Sequence, residues 1–394
     1  MSDRWLIAWL ACGSVLACAE TPSPNPPEPA YPPPTYTPST PPPVASTPPA
    51  PVPTTLPTST ASPPVPPPKP GTLPGGLARG DGEPADAELF EADKAYAKDD
   101  FPGAKKHYDK AKKLAPKDPA PRIGLVRVWL AESGIATDYA SAPKNPKVKT
   151  LLAEVDAALK LDSGYGPGHV ERGRLELIRG DAEKAMASLT KGVEIVPNDP
   201  EAQSAFGVAL LATGKSELAL ERFRRAAELD RDNPARLTNL GTAYMMRGKV
   251  EEAIKAYERA VSLAPNDARS RGDLGTAYLA ANQPAKALPH LKKATELEPD
   301  RATFLSNLGY ALQQQGDLDG AIATYRKAIK KDKRLGSAWI NLGTALAAKN
   351  ELDEAEKALK QALAIDPSDP RAKANLDDLA ELRKKQQPKP APKP

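Results

Sequence analysis

Leu240-Gly241 recurs as Leu274-Gly275, Leu308-Gly309 and Leu342-Gly343, each step being 34 residues. Ala253 recurs at the same interval as Ala287, Ala321 and Ala355, and Ala260 as Ala294, Ala328 and Ala362. Within residues 239–265 the spacing of three, four and seven predicts two short helices with a turn at Arg247-Gly248-Lys249. Leu240, Gly241 and Tyr244 share a face of the first helix; Ala253, Tyr257 and Ala260 share a face of the second. Small residues let the two backbones approach, and the tyrosines fill the volume beside them. Neither helix buries its stripe alone, so a chain of this pattern stacks its units into an array.

Period, helix–turn–helix unit and small/large pattern together resemble the tetratricopeptide repeat. The resemblance implies an all-α, right-handed superhelical solenoid of helix pairs that binds protein. Residues 166–369 divide into six regular repeats, and 84–165 into two divergent units. The second of those carries an insertion at 133–146, and insertions in solenoids fall on loops, sometimes on the binding face. Pro289 lies five residues beyond Pro284 and is expected to bend its helix, because it removes a hydrogen bond and crowds the preceding turn. Residues 370–385 read as a capping helix with a polar outer face, as such arrays need, and 386–394 as a disordered basic tail.

The chain before the array has a different character. Most of the 45 prolines lie before residue 75, so the average composition describes no actual region. Residues 18–83 read as a Pro-rich disordered linker, too poor in apolar side chains to offset the entropy of ordering; residues 71–82 read as its flexible hinge. Sixty such residues, fully extended, reach on the order of 180 Å. Residues 1–17 hold an arginine and a short apolar run that suits a secretory signal. The run ends Val15-Leu16-Ala17-Cys18, which resembles the bacterial lipobox and implies lipidation of Cys18. By the same resemblance, Ala19 implies sorting to the outer membrane, facing the periplasm. The only two cysteines, Cys12 and Cys18, lie in this leader, which leaves the rest without thiol chemistry.

No motif of catalysis, cofactor or metal binding is present: three histidines stand far apart, and no Walker loop, G-x-S-x-G or H-E-x-x-H occurs. A net charge of +4 on 104 charged side chains names no nucleic-acid partner. The resemblance places the first helix of each repeat along a concave groove, with the residue before each Leu-Gly pair facing it. That residue is Asn239, Asp273, Asn307 and Asn341. Asparagine offers a donor and an acceptor to a peptide backbone, so these four, with Tyr310, are the expected peptide contacts. No lysine cluster forms in the places where relatives clamp a C-terminal carboxylate. The expectation is a monomeric, non-enzymatic envelope scaffold that binds protein or extended peptide, held to the membrane by lipid. It would assist an envelope complex such as a pilus secretin, a likeness of architecture only. The alternative is an accessory protein of polysaccharide export or synthesis, which would use aromatic platforms such as Tyr310 and Trp339.

Overall fold

The computed structural model describes residues 69–135 and 139–386. The leader, Cys18, the linker to residue 68, residues 136–138 of the insertion and the tail from 387 lie outside the described residues. Among the described residues there are seventeen α-helices and no strand. They run in pairs: α1 (Pro84–Ala97) with α2 (Phe101–Leu114), α3 (Ala120–Glu132) with α4 (Pro146–Leu161), α5 (Gly166–Arg179) with α6 (Ala182–Ile195), and α7 (Pro200–Ala212) with α8 (Ser216–Leu229). There follow α9 (Pro234–Met246) with α10 (Val250–Leu263), α11 (Ala268–Ala280) with α12 (Pro284–Leu297), α13 (Ala302–Gln314) with α14 (Leu318–Lys331), and α15 (Gly336–Ala348) with α16 (Leu352–Ile365). The last helix, α17 (Pro370–Gln386), packs on α16 and α15. None of these helices is long and apolar enough to cross a membrane.

Local chemistry sets the boundaries. Asp199, Asn233 and Asp267 cap the odd-numbered helices α7, α9 and α11, each accepting a backbone N–H of the first turn. Proline opens α7 and α9, where its missing N–H costs nothing. Each pair then turns through a left-handed residue, at Gly180, Gly214, Gly248, Asn282, Gly316 and Asn350, one per period. At Gly248 (φ 67°), Gly248 N–H donates to Met245 O (3.0 Å) and Lys249 N–H to Tyr244 O (2.9 Å). This is the paired closure that satisfies the last carbonyls of a helix. The small/large pattern acts across each pair: a Cβ on Gly241 would stand 2.6 Å from Tyr257 Cε1, so nothing larger than hydrogen fits. Tyr257 is 2% exposed, and Ala253 and Ala260 are fully buried beside it.

Successive odd-numbered helices touch one another, as α5 with α7 and α13 with α15, whereas the even-numbered helices pack mainly on their own partner and the next odd helix. The odd helices therefore form the inner layer and the even helices the outer one. The helix α12 continues through Pro289.

Two stretches expected to be loose are packed. Residues 71–82 are not a free hinge: Leu77 (3% exposed) and Ala78 join the core of the first helix pairs, and their N–H groups donate to Asp93 Oδ2 at 2.6 and 2.9 Å. The N–H groups of Arg79, Gly80 and Asp81 go to the Asp86 carboxylate in the first turn of α1. The insertion also has an address. Ala140 and Ala142 donate to the carbonyls of Leu177 and Ile178, and the Tyr139 hydroxyl to Gly180 O, so its described part supplies donors that the end of α5 lacks.

Candidate functional site

A file of buried charges crosses the inner layer. Arg127 on α3 stands alone in the apolar run 123–130, 6% exposed. Its Nε is 3.4 Å from Glu171 Oε2 on α5, and Arg174 Nη1, one turn on, donates to the same oxygen at 3.0 Å. Arg174 Nε lies 3.0 Å from Glu201 Oε1 on α7, and Arg236 Nη2 on α9 donates to Glu201 Oε2 at 2.8 Å. Asp230 Oδ2 ends the file, 3.8 Å from Arg236 Nε. Glu171 is fully buried, and its second oxygen, Oε1, has no hydrogen-bond partner.

Burial opposes ionisation along this file. It works against the charge on Arg127, but Glu171, Tyr108 and Glu201 together outweigh it and hold the guanidinium above the ordinary arginine range. Burial raises the Asp230 carboxyl over the opposing pull of Arg236, and raises Asp93 over the bonds from Ala78 and Tyr108. Removing each ion from water costs several kcal/mol, and apolar residues of equal volume often stabilise a fold as well.

The file borders a cavity of about 380 Å3 whose walls include Tyr96, Arg127, Arg174, Glu201 and Arg236. One wall is the chain itself: residues 73–76 lie across it, and Arg127 Nη1 donates to Gly75 O at 2.9 Å. The chain's own main chain, turned at residues 73–76 with Gly76 N–H donating to Leu73 O at 2.9 Å, already occupies part of the inner face. Among the described residues no group of three His, Cys, Asp or Glu side chains is placed to hold a metal ion.

The asparagine ladder is only partly open. Asn239 is 2% exposed and donates through Nδ2 to Ser204 Oγ at 3.0 Å, so it belongs to the interface between repeats and is corrected as a peptide contact. Val208 stands where the four later repeats offer a hydroxyl (Thr242, Thr276, Tyr310 and Thr344). Asn307 is half-buried and donates to Thr276 Oγ1 on the preceding odd helix at 2.8 Å. Asn375 on α17, one period beyond Asn341, repeats that bond to Thr344 Oγ1 at 3.1 Å. Asn341 is half-buried. Asp273 is half-buried, with Arg269 Nε 3.5 Å away. Burial pushes up the hydroxyl of the half-buried Tyr310. Trp339 lines a cleft with Ile329 on α14 and Lys357 on α16.

The charge file escaped the sequence reading, although Arg127 amid apolar neighbours was a visible signal. Asn375 was also within reach, since the period predicts it from Asn341.

Three family models described as tetratricopeptide repeat match residues 234–298, 273–335 and 312–376. No curated protein matches. Among solved structures, the chain resembles one described as the anaphase-promoting complex hetero-tetramer Cut9-Hcn1, with a TM-score of 0.61 at 17% identity. The match covers 75% of this chain and 56% of that one, so this chain spans little more than half of its relative, and the likeness is one of fold. Shorter matches include the protein YrrB, described as having an unusual peptide-binding site (26% identity, TM-score 0.39, 48% of this chain and 97% of that one). Another is PilF of Pseudomonas aeruginosa (21% identity, TM-score 0.48, 55% of this chain and 98% of that one).

Proposed function

This chain is a tetratricopeptide-repeat protein, and from that premise we propose that it is a membrane-anchored scaffold whose inner face holds an extended segment of a partner polypeptide. The observation that carries this reading is the main chain of residues 75–78 on that face. Gly75 O accepts from Arg127, and the Leu77 and Ala78 N–H groups donate to Asp93. Those bonds read backbone, the chemistry that any polypeptide partner shares. Further along, Asp273, Asn307 and Asn341, with Tyr310, continue the inner face toward α17, and Asn307 retains an acceptor oxygen once its amide has bonded Thr276.

A lipid on Cys18 holds the scaffold to the bacterial outer membrane from the periplasmic side, and its work is the assembly of an envelope complex such as a pilus secretin. The leader motif and the long proline-rich spacing before the array support that setting. No step of it is catalytic.

The test places a photo-crosslinking residue in the full chain in cells, at Asn341 on the inner face or at exposed Lys357 on outer helix α16. A partner captured from Asn341 and not from Lys357 supports the groove; the reverse pattern removes it. Fatty-acid analogue labelling in the same cells checks the anchor: the label is lost in Cys18→Ser, and equal labelling of both proteins contradicts it.

A further inference from the structure

Residues 73–79 show what the inner face selects beyond backbone. Three features of the segment depend on side-chain identity. Gly76 has no room for a Cβ, which would stand 2.7 Å from Asp93 Oδ2 and 3.0 Å from Leu73 O. Leu77 is 3% exposed and enters the core formed with Leu89 and Tyr108, with Ala78 tucked behind it. Arg79 makes two bonds to the Asp118 carboxylate, at 2.8 and 2.7 Å, and its guanidinium lies 5.8 Å from the Tyr165 ring centroid. Four consecutive residues are thus read as glycine, leucine, small and arginine. The Leu77 and Ala78 amides are held by Asp93 and the preceding Gly75 carbonyl by Arg127, the Arg79 amide goes to Asp86, and Tyr108 O–H steadies the other Asp93 oxygen at 2.8 Å.

We propose that this is a peptide-recognition site which the chain fills with its own residues 73–79, and that the partner displaces them with a segment of the same pattern: glycine, leucine, a small residue, arginine. The proposal rests on the groove reading above and names the partner segment for it. The strap is built to leave. It precedes α1, so its release separates no helix pair. The first pair also has packing of its own, since α1 lies directly against α2. Arg79, its strongest side-chain tie, is 42% exposed on its side chain. The Asp86 carboxylate holds Gly80 and Asp81, which provides a fixed pivot, and Gly80 and Gly82 both take left-handed backbone (φ 65° and 82°) beside it. Once the strap leaves, buried Asp93 loses two donors, and an unmade hydrogen bond to a buried group is costly. The open state therefore demands a replacement peptide. A tethered ligand has an effective concentration in the millimolar range, so the strap screens out weak competitors.

The test uses the full chain and a fluorescent peptide spanning residues 69–83. Wild type binds it weakly, because the strap competes. A full-length variant with Leu77→Asp and Arg79→Glu, which cannot hold its own strap, binds it at least tenfold more tightly. The same peptide with aspartate in place of its leucine binds neither protein. A variant that keeps the wild-type circular dichroism and gains no affinity overturns the proposal. Hydrogen exchange on wild type decides independently of any variant's folding. The Leu77 and Ala78 amides exchange at least tenfold faster than those of Leu89 and Ala92 if the strap opens by itself. Equal rates mean that it opens only with α1, as a fixed cap would, and the proposal falls. Capture of a partner at Asn341 stands or fails separately, so loss of the strap site leaves the groove reading intact, and loss of both removes both.

Discussion

Asp273 stands where Asn307 and Asn341 stand in later repeats, and the exchange of amide for carboxylate has a pH signature. Burial raises the Asp273 carboxyl above its ordinary value, over the opposing influence of Arg269 and Arg301 and with Asp267 adding to the rise. A raised folded value means that the native chain binds this proton more tightly than the unfolded chain, so the contribution of Asp273 to stability falls as pH rises through the window from the ordinary carboxylate value to the raised one. Relative to Asp273→Asn, wild type should therefore gain stability as pH is lowered through that window. Urea midpoints of the two proteins at neutral and mildly acid pH give the sign directly; parallel pH curves would show that residue 273 titrates normally. At this scale the sequence was half legible. The ladder positions follow from the period, but their partners do not: Asn239 and Asn307 differ in exposure because of the residues they meet on the neighbouring repeat. Arg127 was legible as an anomaly, whereas its bond to Gly75 joins residues 52 positions apart.

At the scale of helices and turns, the repeat contains its own controls. Gly180, Gly214, Gly248 and Gly316 share one backbone conformation with Asn282 and Asn350. Left-handed backbone costs a residue with a Cβ about 1–2 kcal/mol, and asparagine is the side chain that tolerates it. A Cβ at Gly248 meets nothing within 4 Å, so any cost of substitution there is conformational rather than steric. Gly248→Asn should leave stability within roughly 0.5 kcal/mol of wild type, and Gly248→Val should cost about 1–2 kcal/mol. Equal losses in thermal or urea unfolding would show that the turn is held by something other than backbone preference. Turns, helix pairs and the Gly241–Tyr257 contact were readable because each is local and periodic. The strap was not. Its run of glycine, proline and small residues is that of a linker, and most of its ties are to distant partners: Asp93, Asp118 and Arg127.

At the scale of the whole array, stability is a sum of repeats and of interfaces between neighbours, which makes the charge file separable from the fold. Glu201 joins Arg174 on α5 to Arg236 on α9, and the three side chains are 3–7% exposed. Removing one member strands buried charge, so Glu201→Ala should cost about 3–5 kcal/mol. Since repeats couple only to neighbours, hydrogen exchange should quicken over α5–α9 and stay unchanged over α13–α17. Replacing all three by apolar residues of similar volume (Arg174→Met, Glu201→Leu, Arg236→Met) leaves Glu171 paired with Arg127 and Asp230 bonded to Asn233 at the part-exposed end of the file, and should recover most of the stability that Glu201→Ala loses. The same triple variant should lose the partner captured at Asn341, because the inner face would no longer match a polar backbone. A triple variant that is stable and still captures the partner at wild-type strength would show that the file serves neither folding nor recognition. One as unstable as Glu201→Ala would show that the charges fix how α5, α7 and α9 stack.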